Sequence, residues 1–544
     1  MTAATLPGSP VVAGPQLAPG RAVSRLAVRQ LRWGAMVVAL ICGGMSALVA
    51  SQFQKIGGLL DESGMRALAE NPAVRILSGP PVAIDDPGGF TVWRTGTPVS
   101  LLASGWILLA TTRITRGEED GGRWDLLLAG RLRMADVVVR CLAALVGSAT
   151  LIGVAVAAGL LAARTELTGA VIHAAGITCV ALTFATTALL AAQVMPRRSA
   201  ATGLTVAALG VGLMLRMIAD GSHQLAWLAW ATPFGLTARA APYADNRIAP
   251  LVVLGAFPIV LAGAALVAAR HRDLGEGIVA VPDSRPPRTR LLQSIGGFAL
   301  RRAGRTTLGW ATGIAAYFLL VGALLPSILE LLHTNPRFAE LAAAAGMGGG
   351  HELVNVGAAV LFSMLAVLTG LYAAVRLAAM VADEKAGRWN LLFAEPISRV
   401  RLVSTEIMVT VGGVVALHCL AAVAFWSGAK VTGAPLQLTD SLAGALNSLP
   451  VALLAAGAAA VGVGWLPAAA GAIGALPVVG GFLVNVIMQT THAPGWVVNL
   501  SPWTHLAAVP DTPPNWAATT IFLLIGAILT ALGVYGYVQR DLAT

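Results

Sequence analysis

Two short stretches gather the residue types that could grip a partner. The first reads Glu119-Asp-Gly-Gly-Arg123-Trp124-Asp125-Leu126-Leu127-Leu128-Ala129 and the second Glu384-Lys-Ala-Gly-Arg388-Trp389-Asn390-Leu391-Leu392-Phe393-Ala394. In each, an acid stands four residues before an arginine, a spacing that pairs Glu119 with Arg123 and Glu384 with Arg388 on one helix face. Trp and Arg are the side chains that dominate protein interfaces. Trp124, Leu127 and Leu128 fall on one side of such a helix, with Glu119 and Arg123 on another. The chemistry this offers is recognition of a docking protein. A Trp at the headgroup boundary is the alternative, although a lipid anchor has no need of the repeated Glu, Gly and Arg.

Other polar residues are dispersed through apolar sequence. Arg216, His173, His418, Asn447 and Asn485 lie in or near long hydrophobic runs, and an ionisable group there marks a pathway or gate by default. Arg216, Asn447 and Asn485 are the candidates for that role. Arg216 also has Asp220 four residues on and could snorkel outward beside it; the histidines suit packing or hydrogen bonding. No cluster of His, Asp or Glu repeats as a lipid-modifying enzyme would require, and no row of acids marks an ion-coupled route.

Several functions are excluded by type counts. The lysines are Lys55, Lys385 and Lys430, which precede Ile56, Ala386 and Val431. A Walker A loop needs Gly-Lys before Ser or Thr, so no P-loop ATPase lies in this chain and no cofactor is expected on it. Cys42, Cys141, Cys179 and Cys419 have no metal spacing and no disulfide framework. The formal charge is +10, but no basic block is interleaved with aromatics, which argues against nucleic acid.

The elements that hold these residues follow from composition. The chain has 544 residues, 56% hydrophobic and 11% charged, with 61 glycines and a mean hydropathy of +0.76. A soluble globule cannot hide that much apolar surface behind so few charges. A membrane-spanning helix needs roughly 20 mostly apolar residues. Twelve segments qualify, centred on 34–53, 96–112, 138–161, 168–192, 200–219, 248–269, 308–329, 356–379, 404–427, 441–463, 468–488 and 516–537. Only Trp465-Leu466-Pro467 marks the turn between the tenth and eleventh. The first span starts too late for a cleavable signal.

Residues 1–20 are small, uncharged and punctuated by Pro and Gly, as in a disordered tail. Over 21–33, Arg21, Arg25, Arg29 and Arg32 share one side, predicting an amphipathic interfacial helix. The first six-helix half then covers 34–274, a linker with a poorer interfacial copy covers 275–305, and the second half covers 306–544. Arginines cluster before the first span, at Arg197 and Arg198, and from Arg270 to Arg305. The alternate loops are mixed or acidic (Asp61, Glu62, Glu70, Asp85, Asp86, Asp220, Asp245). Both termini are therefore expected in the cytoplasm of a plasma-membrane protein.

An internal repeat sets the architecture. Arg123 and Arg388 are 265 residues apart, and Glu, Gly, Arg, Trp, Leu, Leu and Ala match in register around them. Thr232-Pro233-Phe234 answers Ser501-Pro502-Trp503 at 269, and Arg272-Asp273-Leu274 answers Arg540-Asp541-Leu542 at 268. Tandem six-span units run parallel, related by an axis along the membrane normal. A seam between such halves, lined by Ala, Leu, Val and Gly, suits apolar cargo.

The loop at 118–133 and its copy resemble the segment between the second and third spans of the ABC-2 type permeases, the membrane subunits of ABC exporters. There, Glu-x-Gly…Leu-Leu sequences form a coupling helix. The ending Pro396-Ile397-Ser398-Arg399 is similar to that family's, whereas Gly130-Arg131-Leu132-Arg133 lacks its Pro and Ser. The fused twelve-span, Arg-rich form resembles the actinobacterial tetronasin and polyketide-antibiotic exporter branch. The resemblance implies an all-α polytopic type V exporter-like fold and a separately encoded ABC ATPase, two copies per permease. It also implies a hydrophobic or lipid-like cargo, and coupling through Glu119, Arg123, Trp124, Leu127, Glu384, Arg388, Trp389, Leu392, Pro396 and Arg399. An ion-coupled multidrug transporter is the competing expectation, and a lipid-modifying enzyme the more distant one.

Overall fold

A computed structural model describes residues 19–57, 72–221, 224–279, 291–334, 351–482, 484–485, 496, 499, 501–510 and 512–541. Among these the chain is helical and contains no strand. Contacts divide the described residues into two units, one running from 19 to 279 (apart from 72–73) and the other from 291 to 541. The break falls inside the expected 275–305 linker, most of whose first half (280–290) lies outside the described residues, as does almost all of the expected 1–20 tail.

The first unit contains α1 (Pro19–Gly57), α2 (Pro72–Ser78), α3 (Pro87–Ile114), α4 (Arg116–Asp120), α5 (Arg123–Leu128), α6 (Met134–Ala162), α7 (Leu167–Val194), α8 (Arg198–Gly221), α9 (Pro233–Arg239) and α10 (Ala249–Arg270). The second contains α11 (Ile295–Ala323), α12 (Leu325–Thr334), α13 (His351–Lys385), α14 (Asn390–Phe393), α15 (Arg399–Val431), α16 (Leu438–Asn447), α17 (Leu449–Trp465), α18 (Ala470–Ala475) and α19 (Trp516–Gln539). Helix starts follow local chemistry. Asp86 accepts from the backbone N–H groups of Gly88 and Gly89 ahead of Pro87 at the first turn of α3, the favoured arrangement for an N-terminus.

Ten helical segments among the described residues, rather than the expected twelve, are long and apolar enough to cross a membrane. The two exceptions have separate causes. Segment 96–112 lies in α3, which has the length but carries Arg94, Arg113 and a run of hydroxyls. Thr95, Ser100 and Thr111 satisfy those hydroxyls on backbone carbonyls four residues back, so the polarity is absorbed within the helix. Segment 468–488 is helical over 467–482 and at 484–485, and its residues 483 and 486–488 lie outside the described residues. Its apolar stretch Pro467–Gly480 passes from 3-10 through α to a π turn at Leu476–Gly480. The expected 21–33 interfacial helix is continuous with the first span in α1, because nothing in the sequence interrupts it. Val23, Ala27 and Leu31 form its buried stripe, and the four arginines remain exposed.

The same pairs of helices pack in each unit: α1 on α6 and α7 on α10 in the first, α11 on α15 and α17 on α19 in the second. Glycines set the first of these crossings. A Cβ on Gly159 would lie 2.2 Å from the Gly43 carbonyl oxygen; one on Gly428 would lie 2.1 Å from the Leu319 carbonyl oxygen. Small residues allow such backbone approach between membrane helices. Gly428→Leu is expected to destabilise the chain by about 3 kcal/mol, the upper range for overpacking. Gly412→Leu, on the same helix with open space at its Cβ, should leave it unchanged. Thermal unfolding of the two variants in detergent checks this, and equal shifts would refute the packing assignment.

Candidate functional site

The repeated loops owe their shape to a glycine. After α4 the chain reverses at Gly122, φ +68°, and after α13 at Gly387, φ +69°. Only Gly takes that left-handed conformation without cost, which is why the glycine repeats in register. Because the reversal breaks the helix, the predicted i,i+4 pairs do not form. Arg123 instead binds Glu118, with Nη2 donating to Oε1 at 2.8 Å, and this hydrogen bond raises the guanidinium pKa further above its ordinary value. Arg388 likewise binds Asp383.

The acids expected to pair with those arginines turn inward. Glu119 receives both Nη atoms of Arg272 at 2.6 Å, the Gly275 N–H at 2.9 Å, and lies 3.1 Å from Arg116 Nη1. In the second unit Glu384 receives Arg540. Both Glu–Arg pairs are largely shielded from solvent. The repeated Glu of each loop and the repeated Arg-Asp-Leu after the last helix of each unit are thus two halves of one lock. Both motifs were legible as repeats, and their nearly equal offsets of 265 and 268 residues were the signal that could have joined them.

Trp124 and Trp389 are each 2% exposed. Trp124 belongs to the buried cluster of Ile114, Val137 and Cys141. Trp389 packs with Met380, Leu402 and Val403, donates Nε1–H to the Met380 carbonyl at 3.2 Å, and carries the Arg302 guanidinium 4.7 Å above its ring. Neither indole is free to meet a partner or a headgroup within this chain. The amphipathic pattern was correct in period, but its apolar side faces the unit's own helices. Leu127 and Leu392 are half-buried with them. The outward faces are Arg123, Asp125 and Leu126 (81% exposed) in the first loop, and Arg388, Asn390, Glu395 and Pro396 in the second.

The Pro-Ile-Ser-Arg ending is a helix start. Ser398 Oγ accepts from the Arg401 N–H at 3.2 Å, and Arg399 donates to the Arg540 carbonyl at 3.2 Å. In the first loop Asp136 accepts from the Arg133 N–H at 3.0 Å, the reciprocal half of a capping box, while no N-cap side chain plays the part of Ser398.

A charged network in the second unit escaped the sequence pattern. Arg302 and Arg376 bind Glu406 at 2.9 and 3.0 Å, and Arg302 also binds Asp383. Arg376 and Glu406 sit on different helices, thirty residues apart, so no local spacing announces them. Buried charges of this kind require such partners.

The pathway candidates lie elsewhere in each unit. Arg216 is buried rather than snorkelling. Its Nε donates to Asp220 at 2.7 Å and its Nη1 to Thr97 Oγ1 at 2.9 Å, beside a cavity of about 70 Å³ that His173 and Phe234 also line. Asn447 and Asn485 come together on one cavity of about 200 Å³. His418 is buried, its Nδ1 2.9 Å from the Val414 carbonyl oxygen. No group of His, Cys, Asp and Glu among the described residues is arranged to hold a metal.

Residues 292–538 match the family described as multidrug efflux system permease Rv1217c, C-terminal domain. The chain is 26% identical over 483 residues to the multidrug efflux system permease protein Rv1217c of Mycobacterium tuberculosis (strain ATCC 25618 / H37Rv), an alignment covering 87% of this chain and 86% of that protein. A permease carries its cargo rather than transforming it. Ten apolar helices and this similarity make the chain a polytopic membrane protein homologous to an efflux permease, and not an enzyme.

Proposed function

We propose that the chain is the membrane-spanning permease of an ATP-driven ABC exporter that moves hydrophobic or amphipathic small molecules, of drug, polyketide-antibiotic or lipid type, out of the cell. It would act in the plasma membrane as two parallel six-span halves with both termini inside. Two copies of a separately encoded ATPase would bind ATP and Mg2+. The relative's name supports efflux, and the lack of a P-loop lysine in the sequence is consistent with an ATPase on another chain.

The observation that carries the coupling mechanism is the lock at each loop, Glu119 to Arg272 and Glu384 to Arg540. Each lock ties a loop that reverses at a left-handed glycine to the end of its own unit's last helix. A partner pushing on the exposed faces would therefore displace loop and helix end together. In this scheme Trp124, Trp389 and the two glutamates position the loop. Arg123, Asp125, Leu126, Arg388, Asn390 and Pro396 touch the ATPase.

Leu126→Asp combined with Arg388→Glu is expected to leave the chain folded while weakening its hold on the ATPase. An interface anchor is worth about 2 kcal/mol, roughly thirtyfold in Kd. Either single change is partly masked by the second site through avidity. Pull-down of a Walker A ATPase from the same genome, taken first from neighbouring reading frames, checks this at matched permease levels. Unchanged recovery in the double variant would overturn the docking assignment.

A further inference from the structure

The Ser501-Pro502-Trp503 turn of the second unit borders the cavity that holds Asn447 and Asn485, and nothing in the coupling mechanism uses it. Its walls come from α13 at Ser363 and Met364, from the break between α16 and α17 at Asn447, and from Phe482, Asn485 and Trp503. Its volume is about 200 Å³, and an apolar cavity of about 150 Å³ already holds benzene. A single ring-sized group therefore fits. None of the described residues lining it is charged, so a neutral group is favoured.

The polar atoms in it are few and placed. Asn447 Nδ2 donates to the Ala507 carbonyl at 2.9 Å. Its Oδ1 accepts no hydrogen bond from the described residues and is not buried, so it is an acceptor open to a donor bound in the cavity. Phe482 meets Trp503 edge to face at 5.7 Å, giving the cavity an aromatic side. The π turn at Leu476–Gly480 immediately precedes Phe482, and such turns are frequent at functional sites. An apolar pocket with a few convergent polar groups is the usual form of a small-molecule site.

The first unit offers a contrast at the repeat-related place, beside Thr232-Pro233-Phe234. There the cavity shrinks to about 70 Å³ and has the Arg216 side chain on its wall, paired with Asp220. The two units have specialised differently: one keeps a cation of its own at this place, the other keeps space and an amide.

We infer that the second-unit cavity is a cargo-binding pocket for a neutral, ring-sized amphipathic group that carries a hydrogen-bond donor to Asn447 Oδ1. The inference rests on the export function proposed above and names the class of cargo group.

The test is photolabelling of the full chain in nanodiscs with 4-hydroxybenzophenone, mapped by peptide mass spectrometry. Met364 is the expected site of insertion, with saturable labelling. Asn447→Leu, or removal of the hydroxyl from the probe, should each reduce it about tenfold, the worth of one hydrogen bond. Ala508→Phe, which fills the cavity from another wall, should abolish it, with folding confirmed by unchanged elution and unfolding temperature. Labelling spread over other helices, or labelling of Met364 indifferent to both Asn447→Leu and the hydroxyl, would overturn the pocket. ATP-dependent transport by a chain that shows no Met364 labelling would leave the export function standing and the pocket refuted. Saturable Met364 labelling with no ATP-dependent movement of the probe would do the reverse.

Discussion

Glu119→Leu is expected to destabilise the first unit by about 3–5 kcal/mol, the range for removing one partner of a buried ion pair. The size follows from what is stranded. Arg272 loses both of its 2.6 Å contacts and Arg116 loses its neighbour at 3.1 Å, while both guanidiniums stay buried. Adding Arg272→Met should recover much of the loss, since an apolar pair of similar volume has no charge to leave uncompensated. Arg116 keeps Asp120 at 3.3 Å in that double variant. A double-mutant cycle on thermal unfolding in detergent measures the coupling. A single-variant loss below about 1 kcal/mol, the value of an exposed pair, would show that the lock is a surface contact. Glu384→Leu with Arg540→Met should repeat the pattern in the second unit.

Trp389→Ala is expected to cost about 3–5 kcal/mol in the isolated chain, the range for truncating a large buried aromatic. The loss adds the Met380 hydrogen bond and the Arg302 stacking to the cavity created. Trp389→Phe keeps most of the volume and should cost markedly less. The measurement is unfolding of the chain alone, with no ATPase present. If both variants unfold like the parent and differ only in partner affinity, the indole is a docking residue after all. If membrane yield falls while the unfolding temperature holds, it is a headgroup anchor.

Much of the architecture could be read before any coordinates. The apolar segments, the 265-residue repeat and the repeated glycine each rest on a local rule, and each has a local physical cause. Ser398 capping α15 is another such case. What could not be read depends on which side of a helix meets the rest of its unit. The loop tryptophans had the right period, but period alone does not say whether an apolar side faces its own helices or a partner. The Glu119–Arg123 and Glu384–Arg388 pairs failed because the i,i+4 rule presumes an unbroken helix, and Gly122 and Gly387 break it. Arg376 with Glu406 and Asn447 with Asn485 are joined only by packing between helices far apart in sequence. The hydropathy count and the count of long apolar helices among the described residues differ at two segments. The run around 96–112 is polar enough to fall short even within a full-length helix, and the run at 468–488 passes through a π turn at Pro477 and ends outside the described residues.

The central claim is that ATP hydrolysis on a partner drives cargo through this chain. Inside-out vesicles containing the chain and the ATPase should accumulate a neutral amphipathic dye when ATP and Mg2+ are supplied. They should stop doing so when the ATPase carries a substituted Walker A lysine. A proton gradient without ATP should drive nothing. Accumulation that persists on the gradient alone, with the ATPase absent, would contradict the account and assign the chain to ion-coupled transport.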